Sequence, residues 1–141
     1  MDGRPRLAGK FLLALCSVEV AVGLAEVAFG AVVLGGIIPA EDIEAASVGL
    51  LPSAVDASLT VGLILVTIGA SEAILYGLGV RGALNPSKIR PFLFLFGLMF
   101  LMELASAVQA VAAHSAGIGN LKVLLAGVVF ASAVAVSREA D

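Results

Sequence analysis

Residues 11–38 read FLLALCSVEVAVGLAEVAFGAVVLGGII, and this stretch decides the fold. It contains no basic residue and only two acidic ones. A helix needs about 20 mostly apolar residues to cross the roughly 30 Å hydrocarbon core of a bilayer. The stretch is rich in Ala, Leu and Gly and lacks the alternation of apolar and polar residues typical of membrane strands. It therefore predicts a membrane-spanning helix.

Three further apolar stretches have similar composition, at residues 58–80, 91–113 and 119–136. Residues that favour turns bound the four stretches: Pro39, Arg81-Gly82, Asn85-Pro86 and Gly117. We predict an all-α integral membrane protein in which residues 1–141 form one domain, an up-down bundle of four transmembrane helices. Between the first two helices lies an acidic loop, residues 39–57, in which Pro39 and the acids after it predict a short interfacial helix.

The overall composition excludes several classes of protein. Of the 141 residues, 60% are hydrophobic and 13% are charged, whereas soluble domains carry about 25% charged residues. A net charge of -3 without a basic patch argues against nucleic-acid binding. One Cys forms no internal disulfide, and one His builds no zinc site of several imidazoles. We expect no cofactor, and the sequence leaves open whether a metal ion binds.

The basic residues predict the orientation in the membrane. Seven of the eight lie on one side of the four predicted helices: Arg4, Arg6, Lys10, Arg81, Lys88, Arg90 and Arg138. Only Lys122 lies on the other side. Because loops rich in Lys and Arg stay in the cytoplasm, we expect both termini to be cytoplasmic and loop 39–57 to be external. We also expect the membrane to be the plasma membrane.

The informative residues are glutamates inside the predicted helices. Glu19 and Glu26 lie in the first helix, Glu72 in the second and Glu103 in the third. Measured from the midpoints of the predicted helices, the last three lie at similar depth, and Glu19 lies nearer the cytoplasm. A charge at the bilayer centre costs at least about 2.5–3.5 kcal/mol, and residues 11–80 contain no basic residue to offset it. These acids are therefore our candidates for binding protons or a cation.

Helical spacing places other residues beside the acids. Glu19, Gly23, Glu26 and Gly30 form one stripe on the first helix, and Gly69, Glu72, Tyr76 and Gly79 form another on the second. We predict that the four glycines pack against neighbouring helices. On the third helix, Ser106 shares a face with Glu103, and His114 continues that line. Tyr76, Ser106 and His114 are the predicted supporting residues.

Phe92, Phe94, Phe96 and Phe100 crowd the first half of the third helix. We expect them to face lipid or a partner protein.

Two functions fit these features. The first is a small transporter or channel that uses midplane carboxyl groups to bind protons or a cationic ligand. The second is a non-catalytic subunit of a larger membrane assembly, and in either case we expect a homo-oligomer or other membrane subunits as partners. The glutamates also fit a purely structural role as hydrogen-bonding groups between helices. An enzyme is disfavoured, because the chain has no paired Glu-x-x-His motif, nucleophile elbow or phosphate loop.

Overall fold

A computed structural model describes residues 7–46, 57–113, 117 and 119–140. The described residues form α1 (Leu7–Leu34), α2 (Ala40–Ala46), α3 (Ala57–Leu84), α4 (Arg90–Ala112) and α5 (Gly119–Arg138), with a 3-10 turn at Pro86–Lys88. Within this part of the chain, the four helices other than α2 are long and apolar enough to cross a membrane. The predicted number of long apolar helices is therefore confirmed, and they indicate a multi-pass membrane protein. The side on which each terminus lies stays a prediction.

Helix α1 ends earlier than the sequence predicted, at Leu34 rather than at residue 38. The cause is Gly36, which has a φ angle of 70° and so adopts the left-handed conformation that glycine reaches without strain. The Gly36 N–H donates to the carbonyl of Val33, and the Ile37 N–H donates to the carbonyl of Val32. This pair of hydrogen bonds is the Schellman motif, which terminates a helix and satisfies its last carbonyls.

The short helix predicted in the acidic loop is present as α2. The Pro39 carbonyl accepts hydrogen bonds from the N–H groups of Asp42 and Ile43, so the helix begins directly after the proline. Glu41 and Asp42 lie in its first turn, where carboxylates interact favourably with the positive end of the helix dipole. Ser53 and Asp56, which could cap the start of the next helix, lie outside the described residues.

A tight turn joins α3 to α4, as Asn85-Pro86 predicted. The Lys88 N–H donates to the carbonyl of Asn85, and the Ile89 N–H donates to the carbonyl of Pro86. Ile89 is buried and packs on Gly82, where no side chain stands in its way. Helix α3 continues to Leu84, past the predicted end at residue 80. The proline, rather than the charge of Arg81, sets the helix end because it favours an extended residue before it.

The chain divides into two compact units. One comprises Glu19–Ile74 and is called the glycine unit below. The other comprises Met1–Val18 and Leu75–Asp141 and is called the aromatic unit. The aromatic unit has a core that draws on α1, α3, α4, α5 and the turn before α4: Leu12, Cys16, Ala83, Ile89, Phe92, Phe96, Ala126, Val129, Ala133 and Val136.

The phenylalanines of α4 occupy different environments, which corrects the expectation that all four face lipid or a partner. Phe92 and Phe96 are fully buried, and their rings stack with centroids 5.0 Å apart. Phe100 stacks on Phe130 of α5. Only Phe94 is largely exposed, at 68%. Positions 92, 96 and 100 repeat every four residues, so they fall on one face of the helix, and that face packs inward.

Candidate functional site

The glycine unit is built on a close approach of α1 and α3 at Gly23 and Gly69. A Cβ atom added to Gly23 would lie 2.6 Å from the carbonyl oxygen of Gly69. A Cβ atom added to Gly69 would lie 2.5 Å from the carbonyl oxygen of Gly23. Real Cβ atoms do not approach backbone oxygens so closely. The two helices therefore meet backbone to backbone at this point, as small residues permit in membrane proteins.

A second pair of glycines fixes the register of the two helices. A Cβ atom on Gly30 would lie 2.9 Å from the carbonyl oxygen of Gly62, and one on Gly62 would lie 3.2 Å from the carbonyl oxygen of Gly30. Moving seven residues forward on α1 thus corresponds to moving seven residues back on α3. The two helix segments are antiparallel and stay in contact over about 10 Å, given a rise of about 1.5 Å per residue.

The glutamates stand beside this crossing in a reciprocal arrangement. The Glu26 Cβ would lie 2.8 Å from a Cβ on Gly69, and the Glu72 Cβ would lie 3.3 Å from a Cβ on Gly23. Each Gly-x-x-Glu segment thus places the stem of its Glu against the glycine of the other helix. The glycines have no side chain, and this absence makes room for the two carboxyl-bearing side chains.

The register assigns each acid a level along the helix pair. Glu26 follows Gly23 by three residues and Glu72 follows Gly69 by three, and the helices run in opposite directions. The two acids therefore lie on opposite sides of the crossing, about 5–9 Å apart along the helix axes. Glu19 precedes Gly23 by four residues, so it lies on the same side of the crossing as Glu72. The crossing thus groups Glu19 with Glu72, whereas the span midpoints had suggested that Glu26 and Glu72 lie at similar depth.

The environment of Glu26 is unusual for a carboxyl group. Its Oε2 atom is completely shielded from solvent and has no hydrogen-bond partner. No Lys, Arg or His occurs anywhere between Phe11 and Val80, so the sequence of the glycine unit supplies no cationic side chain. An ionised carboxylate in such a place is strongly unfavourable. Glu26 therefore has one carboxyl oxygen without a polar partner, in a unit without a basic side chain. Glu72 differs, since it has an interaction within the chain.

Glu103 belongs to the aromatic unit, on α4. Its Oε2 atom is also shielded and without a hydrogen-bond partner. Ser106 does not supply one, because its hydroxyl donates to the carbonyl of Met102 one turn earlier at 3.0 Å. Of the other supporting residues, Tyr76 packs edge-on against Phe96 with centroids 5.9 Å apart. His114 lies outside the described residues.

The glycines predicted for helix packing are all buried. Gly79 belongs to the aromatic unit, where a Cβ would lie 2.5 Å from the Cys16 Sγ and 2.9 Å from the Phe92 ring. The sequence interpretation missed Gly62, the partner of Gly30. The signal for it was a seven-residue spacing found on both helices, Gly23 to Gly30 on α1 and Gly62 to Gly69 on α3.

Among the residues that the structure describes, no group of three or more His, Cys, Asp and Glu side chains is placed to hold a metal ion. No protein-family model, curated protein or solved structure matches this chain.

Proposed function

We propose that this chain is a membrane protein whose intramembrane carboxyl groups take up and release protons or a small monovalent cation. The observation that carries the proposal is the Glu26 Oε2 atom, which is shielded and unpartnered in a unit without any basic side chain. Ionisable groups inside a membrane are costly and mostly mark ion or proton pathways. A carboxyl group in this position is neutral with a proton or with a bound cation, so the two compete for it.

The register supports two binding positions for the proton or cation, one on each side of the glycine crossing. Glu26 would form one position, and Glu19 and Glu72 together would form the other. Two adjacent carboxyl groups can share a single proton, because the second ionisation would place like charges side by side. If the predicted orientation holds, Glu26 lies on the external side of the crossing and the pair on the cytoplasmic side. Transfer between the two positions would need water or a movement of the helices.

The experiment is proton flux in vesicles made from the purified protein and containing a pH-indicating dye. A potassium diffusion potential drives the flux, and Na⁺ or K⁺ gradients test for exchange against a cation. We expect Glu26→Gln to lower the flux by at least about tenfold, equivalent to about 1.4 kcal/mol. Glutamine keeps the size of the side chain and removes the titratable group, so the thermal stability should change little. Glu41→Gln, on the exposed surface of α2, is the matched control.

Infrared difference spectra during a pH titration give an independent test. A protonated carboxyl band that disappears in Glu26→Gln would support the proposal. Wild-type flux in Glu26→Gln, together with carboxyl groups that stay ionised throughout the titration, would reject it. In that case the glutamates would be structural.

The second candidate, a subunit of a larger assembly, is favoured by Glu103. Its shielded and unpartnered Oε2 lies on a helix whose neighbouring residues Leu101 and Met102 are 60% and 72% exposed in the isolated chain. Because Oε2 is already shielded within the chain, a Lys or Arg from another chain would pair with the other carboxyl oxygen of Glu103. Glu103→Gln would then weaken assembly, because the basic partner would be left buried and unpaired at a cost of about 3–5 kcal/mol. Co-purification of another chain at fixed stoichiometry, lost in Glu103→Gln, would identify this function.

A further inference from the structure

The aromatic unit contains a cavity that the carboxyl groups do not use. It lies where the 3-10 turn and the start of α4 meet the end of α5, and it has a volume of about 440 Å³. Sites for small molecules commonly span about 300–1,000 Å³. The residues lining it are Pro86, Ser87, Ile89, Arg90, Leu93, Ser137 and Ala140. The cavity thus combines one guanidinium and two hydroxyls with an apolar wall.

The charge around the cavity is positive. Arg90 lines it, and Arg81, Lys88 and Arg138 occupy the neighbouring helix ends with their side chains exposed. Glu139, between the lining residues Ser137 and Ala140, is the described acid nearby, and it has an interaction within the chain. Arg90 has an interaction within the chain, but a guanidinium carries five N–H donors and can serve a ligand as well. An anion is therefore the favoured occupant, and phosphate matches the fork of Arg best.

The hydroxyls of Ser87 and Ser137 narrow the ligand to one that donates hydrogen bonds. Ser87 Oγ donates to Asn85 Oδ1 at 2.7 Å, and Ser137 Oγ donates to the carbonyl of Val134 at 2.8 Å. Because both hydrogens are used within the chain, both oxygens present lone pairs that accept hydrogen bonds. A head group with a phosphate for Arg90 and hydroxyls for the two serines satisfies all three polar side chains.

The position of the cavity selects a lipid rather than a free phosphate. It lies at the ends of two helices that are long and apolar enough to span a membrane, and head groups lie at that level. Ile89 is buried and Leu93 half-buried, and their apolar surface suits the glycerol backbone of a lipid better than an ion. Basic pockets at the cytoplasmic ends of transmembrane helices commonly bind anionic head groups. We propose that this cavity binds the head group of one anionic phospholipid with free hydroxyls, such as phosphatidylglycerol.

The test uses the purified full chain in detergent with phosphatidylglycerol and phosphatidylcholine in equal amounts, and native mass spectrometry counts the bound lipids. We expect one phosphatidylglycerol per chain in preference to phosphatidylcholine. Arg90→Gln should weaken this binding by about tenfold, the effect of losing about 1.4 kcal/mol. Arg81→Gln removes a basic charge from the neighbouring end of α3 without touching the cavity, so it should bind within about twofold of wild type.

A second variant distinguishes the loss of the lipid site from misfolding of the Arg90→Gln protein. Ala140→Phe fills the cavity from the end of α5 and keeps every charge, and it should also lose the bound lipid while retaining the wild-type melting temperature. Adding inorganic phosphate separates the two sources of phosphate. Phosphate should leave the lipid in place, whereas displacement of the lipid by phosphate would overturn the choice of a lipid. Equal retention of both lipids, or an equal loss in Arg81→Gln and Arg90→Gln, would reduce the effect to general surface charge and overturn the proposal.

Discussion

At the scale of single residues, Gly23 and Gly69 determine how closely the helices of the glycine unit approach. Each glycine faces the backbone carbonyl of the other, and backbone atoms move aside less easily than the end of a flexible side chain. Close contacts of this kind also bring Cα–H groups against carbonyl oxygens, each worth about 0.5–1 kcal/mol. The same two positions leave the space in which the stems of Glu26 and Glu72 lie. Packing and the candidate site therefore depend on the same glycines.

Gly23→Ala should destabilise the protein by about 1–3 kcal/mol, the usual cost of forcing an extra methyl group into a packed contact. The added Cβ would meet the Gly69 carbonyl oxygen at 2.6 Å and the Ala73 nitrogen at 2.9 Å. The measurement is the free energy of unfolding in detergent micelles. Gly77→Ala on α3 is the matched control, because a Cβ there meets nothing within 4 Å. It should be neutral or stabilising by up to about 1 kcal/mol through helix propensity. Equal stability of the two variants would contradict the close crossing.

The sequence was informative about these residues only in part. The spacing of Gly23 and Glu26 on α1, repeated by Gly69 and Glu72 on α3, indicated inward-facing stripes. It did not indicate which residue of α1 faces which residue of α3. Register depends on how two surfaces fit together, and one helix read alone does not contain that information. The placement of Glu19 on the same side of the glycine crossing as Glu72 therefore came from the structure.

At the scale of elements, the predicted long helices were confirmed because four apolar runs bounded by turn residues leave few alternatives in a bilayer. The helix ends were less predictable. Pro39 is a strong turn signal, but the chain stops α1 before it, since Gly36 allows the Schellman motif. The expectation that all four phenylalanines of α4 face lipid or a partner was wrong for Phe92 and Phe96. Residues 91–102 are all apolar, so hydrophobicity alone did not distinguish the face that packs inward from the face exposed outward.

Gly36→Ala should shorten or fray the end of α1 at a cost of about 1–2 kcal/mol, because an L-residue with a side chain is strained at a φ angle of 70°. Nothing lies within 4 Å of a Cβ at this position, so the cost is conformational rather than steric. Gly36→Asn should cost less, since Asn tolerates the left-handed region. Gly117→Ala is the control, as Gly117 is equally open but has no positive φ angle. Hydrogen exchange at Ile37 and unfolding in detergent measure the effect, and equal values for the Ala variants would contradict the cap.

At the scale of the whole molecule, the charge distribution predicts which side of the membrane each proposed site faces. The acids of the glycine unit lie on the two sides of the glycine crossing, and orientation decides which side faces which compartment. The cavity lined by Arg90 lies at the end of the aromatic unit that carries most of the basic residues. If that end is cytoplasmic, the lipid proposed there comes from the inner leaflet, where the surface potential is negative. One measurement of the orientation in the membrane therefore decides which compartment each proposed site faces.

Reporter tags at residues 1 and 141 should both report the cytoplasm, and a tag inserted at Ser47 should report the outside. The reason is the distribution of charge, since seven of the eight basic residues lie on one side of the four long helices. A tag at Ser87, in the turn between α3 and α4, is the internal control and should also be cytoplasmic. Termini on opposite sides would eliminate a topology of four crossings, although four helices are long enough to cross. Inversion of all four tags would keep the four crossings but exchange the compartments, so that Glu26 would face the cytoplasm and the anionic lipid would come from the outer leaflet.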